Sequence, residues 1–339
     1  MRILSRVYPI LYREVTRIFV LHTPQLVLNW FYKKYRKKGE KLYSKIKREY
    51  GEDTYLVLCP YPGTGDVYIA AINFKEYMMK NNIRNVTWVV IGAANKKVVG
   101  LFGYKQIYQI TNEAMHDLVK FLMFLGIDER NCLLAHPSSP YMHYGINDML
   151  RNYGELNFSD MYQYGVFGIA ETYIKEKAQF SEKNEAIINV IKRNRLKKGK
   201  TVILSPYANT LQVLPDWFWR KLVSILKIRG FCVLTNSSGT HEPAIEGTNA
   251  IFLPYKDLKC FLEYCGYFIG VRSGLCDIIS SCVCKKVIIY QPYCFWGPAG
   301  NWEYFSLNRM GLCDDAIELS YDGVEYIKLI YEIVNEVGL

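Results

Sequence analysis

The segment CPYPGTGDVYIAA (59–71) runs from the end of an apolar stretch, YLVLC (55–59), into an amphipathic one, and chemistry is first expected there. Gly63 and Gly65 permit a tight turn and close approach of a ligand to the backbone. Thr64 lies between them, and Asp66 closes the turn. A helix starting here offers unpaired N–H groups to an anion. The segment is not a Walker loop, since no GK[ST] follows, and not GxGxxG, since no third glycine stands at the required step. Asp66 has two readings. One is the helix N-cap, which aspartate favours; the other is a carboxylate at a cleft edge acting as general base.

A second segment, GYFIGVRSGLCDIISSC (266–282), ends an apolar strand at Val271 and turns through Arg272, Ser273 and Gly274 into a helix beginning near Leu275. A guanidinium fork, a hydroxyl and backbone N–H groups at one strand end suit a diphosphate. The plainer reading is an ordinary cap with a surface arginine. A third loop, LSPYANTLQVLPDWFWRKL (204–222), carries Ser205, Tyr207, Asn209, Thr210 and Gln212, with Trp217 and Trp219 assigned to the core. A fourth, TNSSGTHEPAIEG (235–247), holds His241 and Glu242. Glu242 is either an acceptor for ribose hydroxyls or a solvated loop acid. The sequence has no HxH, HExxH or DxD spacing, so no metal is expected.

These loops need strands to carry them. Apolar runs at 55–59, 86–92, 106–111 and 132–136 alternate with helical patterns over Asp66–Lys80 and from Asn112 to Leu125. Residues 137–180, rich in Tyr, Met and Gly, form a substrate-facing insertion or an irregular connector. A charged helix over 181–200, stopped by Gly199, leads into a second series. Its strands are expected at 201–206, 231–235, 250–254, 267–271 and 287–291. Its helices are expected at 216–228, 258–265 and 274–282, with a last one from about Gly323. Continuous apolar strands alternating with helices imply a parallel α/β sheet covered on both faces. Two Rossmann-like halves are predicted, with a cleft between them. The expected divisions are a basic helical segment over 1–50, an acceptor domain over 51–190 and a donor-nucleotide domain over 191–339. All four loops fall at the C-terminal ends of strands.

The formal net charge of the 339 residues is +10, and it is not evenly spread. Residues 1–50 hold 13 Lys/Arg against 3 Asp/Glu, while residues 51–339 hold 29 of each. A nucleic-acid binder would carry its basicity on the folded body, so that class is disfavoured. The ten cysteines include no CxxC pair and sit mostly in apolar runs, as reduced cytosolic thiols do. The stretch Ile18–Trp30 is broken by His22, Pro24 and Gln25, short of the ~18 clean apolar residues of a spanning helix. Ile3, Val7, Leu11, Val15 and Ile18 share one helical face; Thr23-Pro24 starts another helix, and KKYRKKGEKLYSKIKR (33–48) follows. An interfacial helix beside a polybasic run fits an anionic cytoplasmic leaflet. A helix packed on the body and an RNA-binding arm are the alternatives.

Together these motifs resemble the bacterial heptosyltransferase family, GT-B glycosyltransferases that act on cell-surface polysaccharide precursors. Gly65-Asp66-Val67-Tyr68-Ile69 is similar to the family's first loop and apolar helix, and Ser273-Gly274-Leu275 to its late strand-end turn beneath the donor diphosphate. The resemblance spans roughly residues 54–292. It implies a GT-B fold, Asp66 as the base that activates an acceptor hydroxyl, and Glu242 as the ribose-binding acid. Two departures stand out: Cys276-Asp277 where the family usually has a histidine, and Gln212 where it often has a basic residue. Arg272 is placed to supply that charge, in a way similar to fucosyltransferases that grip their donor with arginine.

The expectation is therefore a hexosyl- or heptosyltransferase-like enzyme, inverting and metal-independent. It would act on a nucleotide-sugar and a lipid-linked glycan of a capsule or lipopolysaccharide pathway, with no cofactor and no nucleic acid. Ser205, Tyr207, Asn209, Glu242, Arg272, Ser273, Gly274 and Leu275 are expected on the donor side. Gly63, Thr64, Gly65, Tyr141 and His143 are expected on the acceptor side, since flat aromatics stack on sugar rings. The location would be cytoplasmic, at the inner face of the cell membrane. A nucleotide-sugar epimerase and a silent membrane-surface scaffold are the competing readings.

Overall fold

The computed structural model describes residues 33–125, 130–137, 155–209, 213–291 and 302–338, apart from 171, 183 and 322, together with 24, 27, 30 and 211. The leading apolar face over 3–18, the Thr23 cap, Tyr141, His143, Thr210 and Gln212 lie outside the described residues.

After helix α1 (Lys33–Tyr50), the chain runs through β1 (Tyr55–Cys59), α2 (Thr64–Lys80), β2 (Val86–Ile91), α3 (Gly92–Gly100), β3 (Ile107–Ile110), α4 (Asn112–Leu125) and β4 (Cys132–Leu134). The four strands form a parallel sheet in the order β3-β2-β1-β4. All of β1 is buried because successive side chains enter cores on opposite faces. Tyr55, Val57 and Cys59 join the core beneath α2, while Leu56 and Leu58 join the one formed with α1 and α4.

The second half comprises α5 (Glu185–Arg193), β5 (Thr201–Ser205), α6 (Asp216–Ile228), β6 (Cys232–Asn236), β7 (Asn249–Ile251), α7 (Leu258–Cys265), β8 (Gly266–Val271), α8 (Gly274–Ile278), β9 (Lys285–Tyr290), β10 (Ala316–Ser320) and α9 (Tyr326–Glu336). Its parallel sheet has the order β10-β9-β8-β5-β6-β7. The inward residues Ile203, Phe268 and Ile288 belong to the same hydrophobic cluster as Val57 and Trp88 of the first sheet. The halves therefore share one continuous core. A strap over 172–182 ties them further. The N–H of Glu176 donates to the Ile72 carbonyl at 2.8 Å, and that of Ser181 to the Lys256 carbonyl at 2.7 Å.

Two expected helices are shorter than the pattern implied. The 181–200 segment is helical only as α5, because Asn184 caps it at Ile187 N–H and Arg195 then turns to φ +51°. The 274–282 segment stops at Ile278, after which Cys282 N–H closes a turn on the Ile279 carbonyl. α1 lies on α4, so over 33–50 the basic run is a helix packed on the body. A Cβ at Gly39 would stand 2.2 Å from the Phe121 Cβ, so glycine lets the two helices close. Ile46 and Lys47 are buried, and the Lys47 ammonium donates to the carbonyls of Glu52 at 2.9 Å and Thr54 at 2.6 Å.

Candidate active site

In the first sheet the chain winds outward from β1 through β2 to β3, then returns to the other edge of β1 for β4. In the second it winds from β5 through β6 to β7, then returns to the other edge of β5 for β8. Loops part at such switch points and leave a crevice beyond the strand ends. Asp66 and His136 follow the two strands of the first switch point; at the second, Ser205 ends β5 and Arg272 follows β8.

Asp66 is not the cap of α2. Gly63 holds that position without a side-chain bond, and Asp66 is the third helical residue. Its carboxylate instead faces two partners from distant segments. His136 Nε2 lies 3.1 Å from Oδ1, and the Tyr162 hydroxyl donates to the same oxygen at 3.2 Å. A Cβ on Gly63 would stand 2.2 Å from Asp66 Oδ2, so a side chain there would displace the carboxylate. Tyr162 lies in the wide helical turn Met161–Val166 and is fully buried. Burial, reinforced by the Asp66 charge, pushes its phenol well above the usual range, so it stays a donor. His136 is nearly buried, with Tyr61 stacked on it at 3.9 Å and Tyr162 edge-on at 6.0 Å. Asp66 keeps 28% of its side chain exposed, so the carboxylate, not the imidazole, meets solvent.

Arg272 departs from the open fork expected of it. Its Nε donates to the Phe305 carbonyl at 2.9 Å, and Nη1 to the Ser273 carbonyl at 2.7 Å and to Asp277 Oδ2 at 3.0 Å. Nη2 donates to Asp277 Oδ1 at 2.6 Å. Four of the five guanidinium donors are thus engaged within the protein. Burial opposes the arginine's charge, but the adjacent Asp277 carboxylate outweighs it and holds the group above its ordinary range. Ser273 precedes α8 without a side-chain cap bond, and its hydroxyl faces the Cys276 thiol at 3.8 Å.

The other two loops lie at the rim of the second sheet. Ser205 is buried and accepts from Asn236 Nδ2 at 3.4 Å, the Tyr207 hydroxyl donates to the Pro243 carbonyl at 2.6 Å, and Asn209 is exposed. Glu242 is tied into its own loop. Its carboxylate accepts from the Ser238 hydroxyl, and its carbonyl accepts from the Ser237 hydroxyl at 2.5 Å. Trp219 is core, as expected, whereas Trp217 is 41% exposed and packs edge-on to Tyr326.

The two switch points face one another. A Cβ added to Gly65 would stand 3.2 Å from the Gly274 Cα and 2.4 Å from Asp277 Oδ2. Burial, reinforced by the charge of Glu242, raises the Tyr255 phenol above its ordinary value. The first and second loops therefore converge, while Glu242 bonds within its own loop and Ser205, Tyr207 and Asn209 stand on the second half alone. His136, Tyr162 and Asp277 were not singled out from sequence as site residues. The signals available were indirect: His136 closes the strand-like run CLLAH, Tyr162 lies in the Tyr-rich 137–180 segment, and Asp277 belongs to the Cys276-Asp277 departure.

No family model matches the chain, and no curated protein matches it. Solved glycosyltransferase structures do. An ADP-heptose LPS heptosyltransferase II from E. coli is 11% identical, with a TM-score of 0.49 over 84% of this chain and 98% of that one. The E. coli heptosyltransferase WaaC with ADP is 10% identical, with a TM-score of 0.46 over 84% and 100%. A family 9 glycosyl transferase from Veillonella parvula is 13% identical, with a TM-score of 0.47 over 84% and 92%. A likeness at this level establishes neither activity nor substrate, which have to be argued from the residues. Among the described residues there is no group of three or more His, Cys, Asp or Glu able to hold a metal, and no helix long and apolar enough to cross a membrane.

Proposed function

We propose that this protein is a GT-B-like glycosyltransferase, with acceptor and donor sites on the two halves and catalysis in the crevice between them. The observation that carries the reading is the meeting of a solvent-reached carboxylate, Asp66, with the Arg272-Ser273-Gly274 turn across the two switch points. A base and a cation facing across a crevice suit an inverting displacement. The acceptor hydroxyl gives its proton to Asp66 as its oxygen bonds the anomeric carbon. The bond from that carbon to the diphosphate breaks, and the diphosphate leaves with the electron pair. Arg272, Ser273 and the Gly274–Leu275 backbone balance its charge, the contribution expected to weigh most. No step calls for a metal. Ser205, Tyr207, Asn209 and Glu242 would hold the nucleotide. Gly63, Thr64, Gly65, Tyr141 and His143 would line the acceptor path.

The structures that match this chain include a heptosyltransferase solved with ADP and an ADP-heptose LPS heptosyltransferase, so an ADP-heptose is the first donor to try. The exposed Lys33, Lys37, Lys38 and Lys41 of α1 would hold the enzyme at an anionic cytoplasmic membrane surface, where a lipid-linked polysaccharide acceptor is found. Thermal-shift measurements over ADP-, UDP-, GDP-, CMP- and dTDP-sugars, followed by nucleotide-release assays, test the proposal. Asp66→Asn should lower turnover about 10²–10⁴-fold while donor binding persists. Turnover unchanged in Asp66→Asn would remove the base; stabilisation by no nucleotide would leave a membrane-surface scaffold.

A further inference from the structure

We infer that His136 and Tyr162 are positioning residues for Asp66, holding its carboxylate by one oxygen so that the other is presented to the acceptor. The inference rests on the reading of Asp66 as base. Both contacts, at 3.1 and 3.2 Å, fall on Oδ1. Oδ2 lies over the Gly63 backbone and carries no hydrogen bond to the described residues. A carboxylate anchored at one oxygen cannot rotate about its Cβ–Cγ bond without losing both donors. Its free lone pairs are thereby aimed before substrate arrives.

The anchors are themselves immobilised. The His136 ring is 5% exposed and is held between Tyr61, stacked 28° from parallel, and the edge of Tyr162. Tyr162 is wholly buried, and its raised phenol pKa keeps the proton that it donates. A carboxylate oxygen facing His136 Nε2 at 3.1 Å calls for a proton on that nitrogen, since the ring then donates to Oδ1 as Tyr162 does. The three residues come from the first turn of α2, from the loop after β4 and from the 158–166 segment, so the arrangement also ties that segment to the first half.

Imidazole NMR on the full chain, which has five histidines, provides a readout independent of substrate. His136→Gln removes one signal and so assigns it. That signal should report a protonated Nε2 and should shift in Asp66→Ala. For activity, nucleotide release from the ADP-, UDP-, GDP-, CMP- and dTDP-sugar panel is compared between His136→Leu and His136→Gln. Leu should lower kcat about 10–100-fold with donor KM held within about twofold, while Gln, whose Nε2 replaces the lost donor, should recover most of it. A His136 signal indifferent to Asp66→Ala overturns the inference, as does an equal kcat loss in the Leu and Gln variants. Asp66→Asn separates the two claims. If it abolishes turnover while His136→Leu does not, the base stands and the anchor falls.

Discussion

Gly65 and Gly274 meet across the seam between the two sheets, each at the start of a helix and each without space for a side chain. A Cβ on Gly274 would lie 2.3 Å from Thr64 Oγ1 and 2.4 Å from the Gly65 nitrogen. The Thr64 hydroxyl can rotate away, but the Gly65 backbone is fixed in the first turn of α2. Gly274→Ala should therefore destabilise the fold by about 1–3 kcal/mol, as overpacking against backbone does. Urea denaturation checks this: the midpoint should fall with little change in slope.

The Arg272–Asp277 pair, 12% and 2% exposed, predicts effects of opposite sign on stability and binding. Removing one member of a buried pair strands the other charge and costs about 3–5 kcal/mol, so Arg272→Met and Asp277→Asn should each lower the unfolding midpoint. The double variant Arg272→Met/Asp277→Leu should recover much of that loss. Nucleotide affinity should separate the singles. Asp277→Asn releases the guanidinium and should tighten nucleoside diphosphate binding, whereas Arg272→Met should weaken it. Calorimetric titration with ADP, UDP and GDP measures both.

Which parts of this arrangement were legible in the sequence follows from the range of the interactions. β1 and β8 stood out as apolar runs because parallel strands are buried on both faces, and α7 was read at its observed bounds, Leu258–Cys265. α3 escaped notice because GAANKKVVG offers few apolar positions at helical spacing, and β10 because AIELS is only half-buried at a sheet edge. Asp66 was found by its place after a strand. Its partners were not, because His136 and Tyr162 lie 70 and 96 residues away and nothing local couples them to it. Asp277 was visible only as a departure from the pattern of the family that the sequence resembles, yet it decides how much of Arg272 is free.

The cationic face of α1 predicts a lipid dependence separable from folding. Lys33, Lys37, Lys38 and Lys41 are exposed, while the helix is fixed to α4 through Gly39 and Ile46. Its apolar side is occupied by the body, so any attachment through 33–50 would be electrostatic and not insertional. Replacing the four lysines by Gln should leave the unfolding midpoint within error. It should lower affinity for phosphatidylserine-containing vesicles by roughly 1 kcal/mol per charge at low salt. Cosedimentation against pure phosphatidylcholine vesicles checks the effect, which should shrink as salt is raised. Deleting α1 outright would not isolate it, because that deletion strips the cover from Leu118 and Phe121.

Glu176 predicts a pH-dependent change in stability. Burial raises its carboxyl above the ordinary 4.5, against the opposing pull of Lys75 and a hydrogen bond from the Tyr104 hydroxyl at 3.3 Å. A carboxyl with a raised folded pKa binds more protons folded than unfolded between the two values. Stability therefore falls as pH rises from the unfolded value through the folded one, and the penalty persists at neutral pH. Gln keeps an oxygen to accept from Tyr104 and carries no charge. Glu176→Gln should match the wild type near pH 4 and exceed it by about 1–2 °C in Tm at pH 7, the gap opening through the window just above 4.5. Thermal unfolding of both proteins across pH 4–8 measures that difference. A gap that closed with rising pH would place the Glu176 carboxyl below its ordinary value, held there by Lys75.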